Sequence, residues 1–175
     1  LLGLAATLLF AVTGLTLNHA EWFEAGEPVR RELRGELAPA LLAHEVDRLS
    51  VAEQVRASHG LRGTVTDFVV DDDRCTVVWK GPAYSADVEV DRHTGHYAGE
   101  EQQRGLVALL NDLHKGRDTG PLWAVAIDAA AVVLTLISAT GLWLLLYLKK
   151  RVRTGLLVGL AGAFLTAAAY VLGVT

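Results

Sequence analysis

Cysteine is almost missing from this chain: Cys75 stands alone, so no disulfide can form within it. There is no C-x-x-C-H, which removes covalent c-type haem, and no glycine-rich phosphate loop after a strand. Serine, histidine and aspartate are too scattered to suggest a hydrolytic triad. Charge is missing from three long stretches. None occurs from Leu1 to Asn18 or from Thr154 to Thr175, and Asp128 is the only charged residue from Leu122 to Leu148. No small-x-small cleavage site follows the first run, which argues against a secretory signal peptide.

What is present follows from those gaps. A bilayer core of ~30 Å is crossed by ~20 apolar helical residues. The runs predict three transmembrane helices, over 1–19, 121–148 and 154–175. The first is short at its start and opens on Leu1 without an initiator Met, so a preceding cytoplasmic arm is expected. Between the second and third runs, residues 149–153 read Lys-Lys-Arg-Val-Arg, four positive charges in five residues. Positive loops stay in the cytoplasm. This orientation puts 20–121 on the extracytoplasmic side, the periplasm if the membrane is a bacterial inner membrane. That segment carries 19 acids and 12 bases, a net charge of −7, which argues against nucleic-acid binding.

Within 20–121, Trp22 and Phe23 suit the outer headgroup level. Residues 20–49 predict a juxtamembrane helical segment, with 28–46 as a broken amphipathic helix started at Pro28 and interrupted at Pro39. Ser50 and Glu53 have capping-box spacing, predicting a helix over 51–59 that ends at Gly60. Residues 63–70, 75–80 and 84–90 read as strands. The hairpin turn Asp91-Arg92-His93-Thr94-Gly95 leads to a fourth strand beginning at His96. Residues 50–100 are thus a small α+β domain, a helix on an antiparallel meander. Residues 101–120 predict an amphipathic helix and linker, with Leu106, Leu109, Leu110 and Leu113 at helical spacing. Gly155, Gly159 and Gly162 predict tight packing of the three membrane helices.

Four features in order carry a family resemblance: Thr13-Gly14-Leu15-Thr16-Leu17-Asn18-His19, the helix and meander closing on Asp91–Gly95, Leu113-His114-Lys115-Gly116-Arg117, and Thr140-Gly141-Leu142-Trp143. Together they resemble the PepSY-associated transmembrane family in its short three-helix form, across nearly the whole chain. The resemblance implies a PepSY fold for residues 50–100. Longer relatives include membrane reductases that bind b-type haem through helix histidines and reduce ferric siderophores.

Of six histidines, His19 and His114 matter most, since both sit at the outer ends of apolar helices. Imidazole is an axial ligand for haem iron, and two from neighbouring helices can clamp one macrocycle. Asn18, Asp112 or a carbonyl could hold the other ring nitrogen. The alternative is that each histidine makes ordinary interfacial hydrogen bonds. Lys115 and Arg117 are candidates for propionates or lipid phosphate, or are solvated interface charges. Asp128 lies seven residues past Pro121, ~10 Å along the helix, where an ionisable group is costly. It either carries a function or bonds Thr13, Thr16 or Thr166. His93 and His96 are too few for a closed metal site. Tyr97 stands where a flavin-accepting hydroxyl would be expected, which rejects flavinylation. Two functions remain open: a membrane-anchored electron-transfer component with haem b, linked to ferric or siderophore reduction, and a non-catalytic accessory subunit docking on a protein partner in the membrane or periplasm.

Overall fold

The computed structural model describes residues 2–19, 22, 27–42, 46–147 and 152–174. The chain divides into two compact units, residues 7–127 and residues 1–6 with 128–175. Lys149, Lys150 and Arg151 of the basic stretch on which the orientation rests lie outside the described residues, as do Phe23 and His44.

The first apolar run forms helix α1, Leu2–Asn18. The chain then departs from expectation. Residues 29–36, expected to be helical, form strand β1, Val29–Glu36. A short 3-10 turn, Pro39–Leu41, follows. The reason lies in the period. Leu33 is the one large apolar residue in an otherwise charged stretch, too little for a helical stripe, whereas period-two alternation puts Leu33 inside and Glu32 and Arg34 outside. Pairing along β5 from Val29↔Gln103 to Glu36↔His96 then outweighs the helical preference of Arg, Glu and Leu. Gly35 is needed because a Cβ there would run into the Tyr97 ring.

Helix α2, Arg48–His59, starts earlier than expected. Asp47, not Ser50, is the N-cap: its Oδ1 accepts the Ser50 N–H at 3.1 Å and its Oδ2 the Ser50 hydroxyl at 2.7 Å. Glu53 pairs with Arg56 at 3.3 Å, so the Ser50/Glu53 box is not made. Gly60 closes the helix in the left-handed region, as expected.

Strands β2 (Thr64–Val70), β3 (Arg74–Gly81), β4 (Tyr84–Asp91) and β5 (His96–Gln103) complete an antiparallel sheet of order β1-β5-β4-β3-β2. The meander is as read, with β1 added beside its last strand. One face packs on α2, where Val51 and Val55 meet a core containing Leu33, Val77, Trp79, Val88 and Val90. Cys75 is fully buried in that core, and burial pushes its thiol pKa up. Asp91 shapes the β4–β5 turn by accepting the N–H groups of His93 and Thr94, both at 2.9 Å. Because β5 runs to Gln103, the next helix, α3, covers Leu106–Lys115 rather than starting at 101.

Helix α4 is Pro121–Tyr147 and α5 is Val152–Val174. Both are long and apolar enough to cross a bilayer, while α1 is shorter. In the unit of residues 1–6 and 128–175, Gly155 lets α5 approach Leu145 of α4, and Gly3 lies against Ile137. Gly159 and Gly162 face open space, so the expected glycine packing is made at Gly155 only.

Candidate functional site

The residues singled out near the outer helix ends are drawn into a polar seam between α1 and α3. Leu106, Leu109 and Leu113 give α3 an apolar side, and Gly116 in the left-handed conformation stops it. The two helices run antiparallel, so α3 residues three apart meet α1 residues three apart. His114 Nδ1 lies 2.6 Å from the Thr13 hydroxyl, and Asn111 Oδ1 lies 3.2 Å from the Thr16 hydroxyl. Both threonines are buried. The Thr13 hydroxyl donates to the Leu9 carbonyl at 2.6 Å. When the hydroxyl proton stays there, its oxygen accepts from His114 Nδ1–H, the tautomer that leaves Nε2 with its lone pair. The His114 ring also meets Phe10 edge-on at 5.2 Å, over Gly14.

Asp112 ties α3 to the sheet. Its carboxylate is buried and accepts the Ala83 N–H at 2.9 Å and the Arg104 guanidinium at 3.1 Å. Ala83 sits in the β3–β4 turn with φ 53, a strained position for a residue with a Cβ. Asp112 therefore does not orient a histidine, as had been one expectation. It braces a turn. The Trp123 indole at the start of α4 donates to the Leu113 carbonyl at 2.9 Å, locking the α3–α4 corner. Lys115 and Arg117 are exposed at that corner.

His19 takes different partners. Its ring stacks on Trp22 at 3.7 Å, and its Nε2 lies 3.3 Å from the Asn18 amide. It follows Thr13 by six residues, ~9 Å of helix rise and about 120° around the axis. Asp128 is exposed on α4 and makes no hydrogen bond among the described residues. Thr166, one of its expected partners, gives its hydroxyl to the Gly162 carbonyl at 2.9 Å. His93 bonds Asp73 at 3.1 Å while His96 faces Glu36 at 4.0 Å, so they form no metal pair. No cluster of three or more metal-ligating side chains occurs among the described residues.

Sequence reasoning missed one buried charge. Glu101, on the core-facing side of β5, is held by Arg31 at 2.6 Å, and Arg31 also reaches the last carbonyl of α2, at His59, at 2.7 Å. His59 Nε2 meets the Tyr97 hydroxyl at 2.9 Å beside it. The signal available was register: once β5 runs to Gln103, alternation from Tyr97 puts Glu101 on the inner face. No curated protein and no solved structure matches the chain. A family model described as "Putative PepSY_TM-like" matches residues 2–174, from the first turn of α1 to the last of α5. The chain belongs to this PepSY_TM-like family of membrane proteins.

Proposed function

We propose that this chain is a non-catalytic, membrane-anchored accessory subunit whose helices pack against a partner in the membrane while its sheet domain docks outside. One observation carries the reading. Asp128 points out of α4, ~10 Å past Pro121, exposed and without a hydrogen bond among the described residues. A carboxyl group facing lipid at that depth costs about 2.5–3.5 kcal/mol on insertion scales. A partner helix supplying a hydrogen bond offsets that cost. Thr135 and Ser138 lie on the same stripe at seven and ten residues' spacing, and both are exposed. Small and polar residues of this kind join membrane helices. The basic 149–153 turn supports an extracytoplasmic sheet domain.

The test is purification of the full chain from its own membrane, with the mass of the complex as readout. Wild type and Asp128→Asn are expected to run as a complex of defined stoichiometry, and Asp128→Leu as the free chain. If Asp128→Leu keeps the same partners in the same ratio, or wild type runs alone, the reading is wrong.

The redox reading stands second, and one observation favours it. His114 Nδ1 lies 2.6 Å from the Thr13 oxygen, and in the Nδ1-protonated tautomer, the arrangement metal-ligating histidines use, Nε2 keeps its lone pair. Bound haem b would supply one-electron transfer, and Lys115 and Arg117 are cations suited to its propionates. Protein from haem-replete cells should then show a Soret band that His114→Ala abolishes. A spectrum without the band ends this reading.

A further inference from the structure

The end of the sheet that leads to α3 gathers basic side chains. Arg30, Arg31, Lys80 and Arg104 stand at strand ends there, with Arg62 just before β2; Arg30 pairs with Glu100, Arg31 with Glu101 and Arg104 with Asp112, while Arg62 and Lys80 make no ion pair among the described residues. At the basic end lies a cavity of about 240 Å³. Its floor is the β3–β4 turn, Gly81 to Ala83, approached closely by Gly63, where a Cβ would strike the Lys80 carbonyl. Its walls are Arg62, Tyr84 and Arg104, and its lip is Leu106 and Leu109 of α3.

Three features of this cavity point the same way. Arg62 is exposed and has no carboxylate within ion-pair distance among the described residues. It is held in place all the same: its guanidinium lies 5.5 Å from the Tyr84 ring centroid, and its own N–H donates to the Tyr84 hydroxyl at 3.1 Å. Arg104 is fixed by Asp112 through one terminal nitrogen, which leaves other N–H donors of the fork unused. Leu106, at the lip, is 69% exposed, an apolar surface that a water-soluble anion would not cover.

The level of the cavity matches a headgroup. Trp123 marks the start of α4, and its indole bonds Leu113. Leu109 is one turn, ~6 Å, from Leu113 along α3, toward the sheet. The headgroup layer extends roughly 5–7 Å beyond the hydrocarbon on each side. The geometry points to a binding site for an anionic phospholipid, its phosphate between Arg62 and Arg104 and its glycerol and upper acyl chain against Leu106. Arginine forks match phosphate oxygens in pairs, whereas the apolar lip selects a lipid over free phosphate. The site couples the domain to the membrane, because Arg104 shares Asp112 with the Ala83 turn.

The experiment uses the full chain, delipidated in detergent and titrated with phosphatidylglycerol or phosphatidylcholine of matched chains. Retained lipid is read by native mass spectrometry. Phosphatidylglycerol should be retained over phosphatidylcholine. Arg62→Gln, which breaks no ion pair, should weaken that retention about tenfold, and Leu106→Gln should weaken it too. Arg34→Gln, on the open sheet face where Arg34 pairs with exposed Glu32, should leave it unchanged. Equal retention of the two lipids, or an Arg62→Gln chain that still prefers phosphatidylglycerol as wild type does, overturns the proposal. Displacement of the lipid by millimolar inorganic phosphate also overturns it, since the site would then take a free anion.

Discussion

The sheet domain and the apolar helices use leucine in opposite ways. In the sheet domain, Leu33, Leu37 and Leu42 are buried, packed with Trp79 and Val88. In residues 128–175, Leu136, Leu144 and Leu157 are more than half exposed, as are Trp143 and Phe164. Composition is similar at these positions, but the solvent they are built for is not. The sheet domain satisfies its own core and can face water. The α4 and α5 surfaces bury little within the chain and need lipid or other helices around them. The hydroxyls agree: Thr135, Ser138 and Thr140 on α4 donate to carbonyls of their own helix one turn back, as suits a surface without water.

The largest expected effect comes from making one substitution in both places. Leu33→Ala should lower the stability of the sheet domain by about 3 kcal/mol, as transfer and cavity costs add at a fully buried site. Leu136→Ala should change stability in detergent or nanodiscs by less than about 0.5 kcal/mol. Chemical denaturation followed by circular dichroism measures both. If Leu136→Ala costs as much as Leu33→Ala, then α4 is packed in a protein interior and the contrast between sheet domain and helices fails.

Next in size is the brace. Asp112→Ala leaves the Ala83 N–H without its buried acceptor and frees Arg104, and should cost about 2–3 kcal/mol. Asp112→Asn keeps an acceptor and should cost less. Thr13→Val, which removes one hydrogen bond to His114, should cost about 1 kcal/mol. A thiol reagent sharpens the same comparison. Cys75 should stay unreactive until the sheet unfolds, because it is buried and its pKa is raised. Reaction of the native protein at the rate of an exposed thiol would show that the core opens on its own.

The apolar runs and the meander could be read directly, because charge depletion over ~20 residues and period-two alternation are local patterns. β1 could not. Its eight residues have a strand's alternation only if Leu33 is known to face a core, and the strand it pairs with, β5, lies some sixty positions later. The N-cap of α2 was misplaced by one turn because Asp47 and Ser50 are both good caps. Which one acts is decided by where the chain enters from the 3-10 turn. At the candidate site, the sequence flagged His19 and His114 from their positions at helix ends. It could not show that His114 meets Thr13, nor that Asp112 belongs to the Ala83 turn. Glu101 stayed invisible until the length of β5 was known.

The smallest effect should appear on the acid side, and it belongs to the sheet domain alone. Hydrogen bonds from the Ser50 side chain and N–H hold the Asp47 carboxyl below its ordinary value of 3.8, and N–H donation from Thr94 and His93 does the same for Asp91. A carboxyl whose folded pKa is depressed binds fewer protons in the native state than in the unfolded one. Its contribution is therefore present in full above the unfolded pKa and is lost as pH falls through the folded value. Both groups are solvent-exposed, so the effect is modest. Melting of the sheet between pH 6 and pH 3 should show a decline that Asp47→Asn and Asp91→Asn together flatten, since each keeps an acceptor but cannot titrate. The helical signal of the apolar segments, which lack such capped carboxylates, should hold steady over the same range. An unchanged pH slope in the double variant would assign acid sensitivity to other carboxylates of the domain.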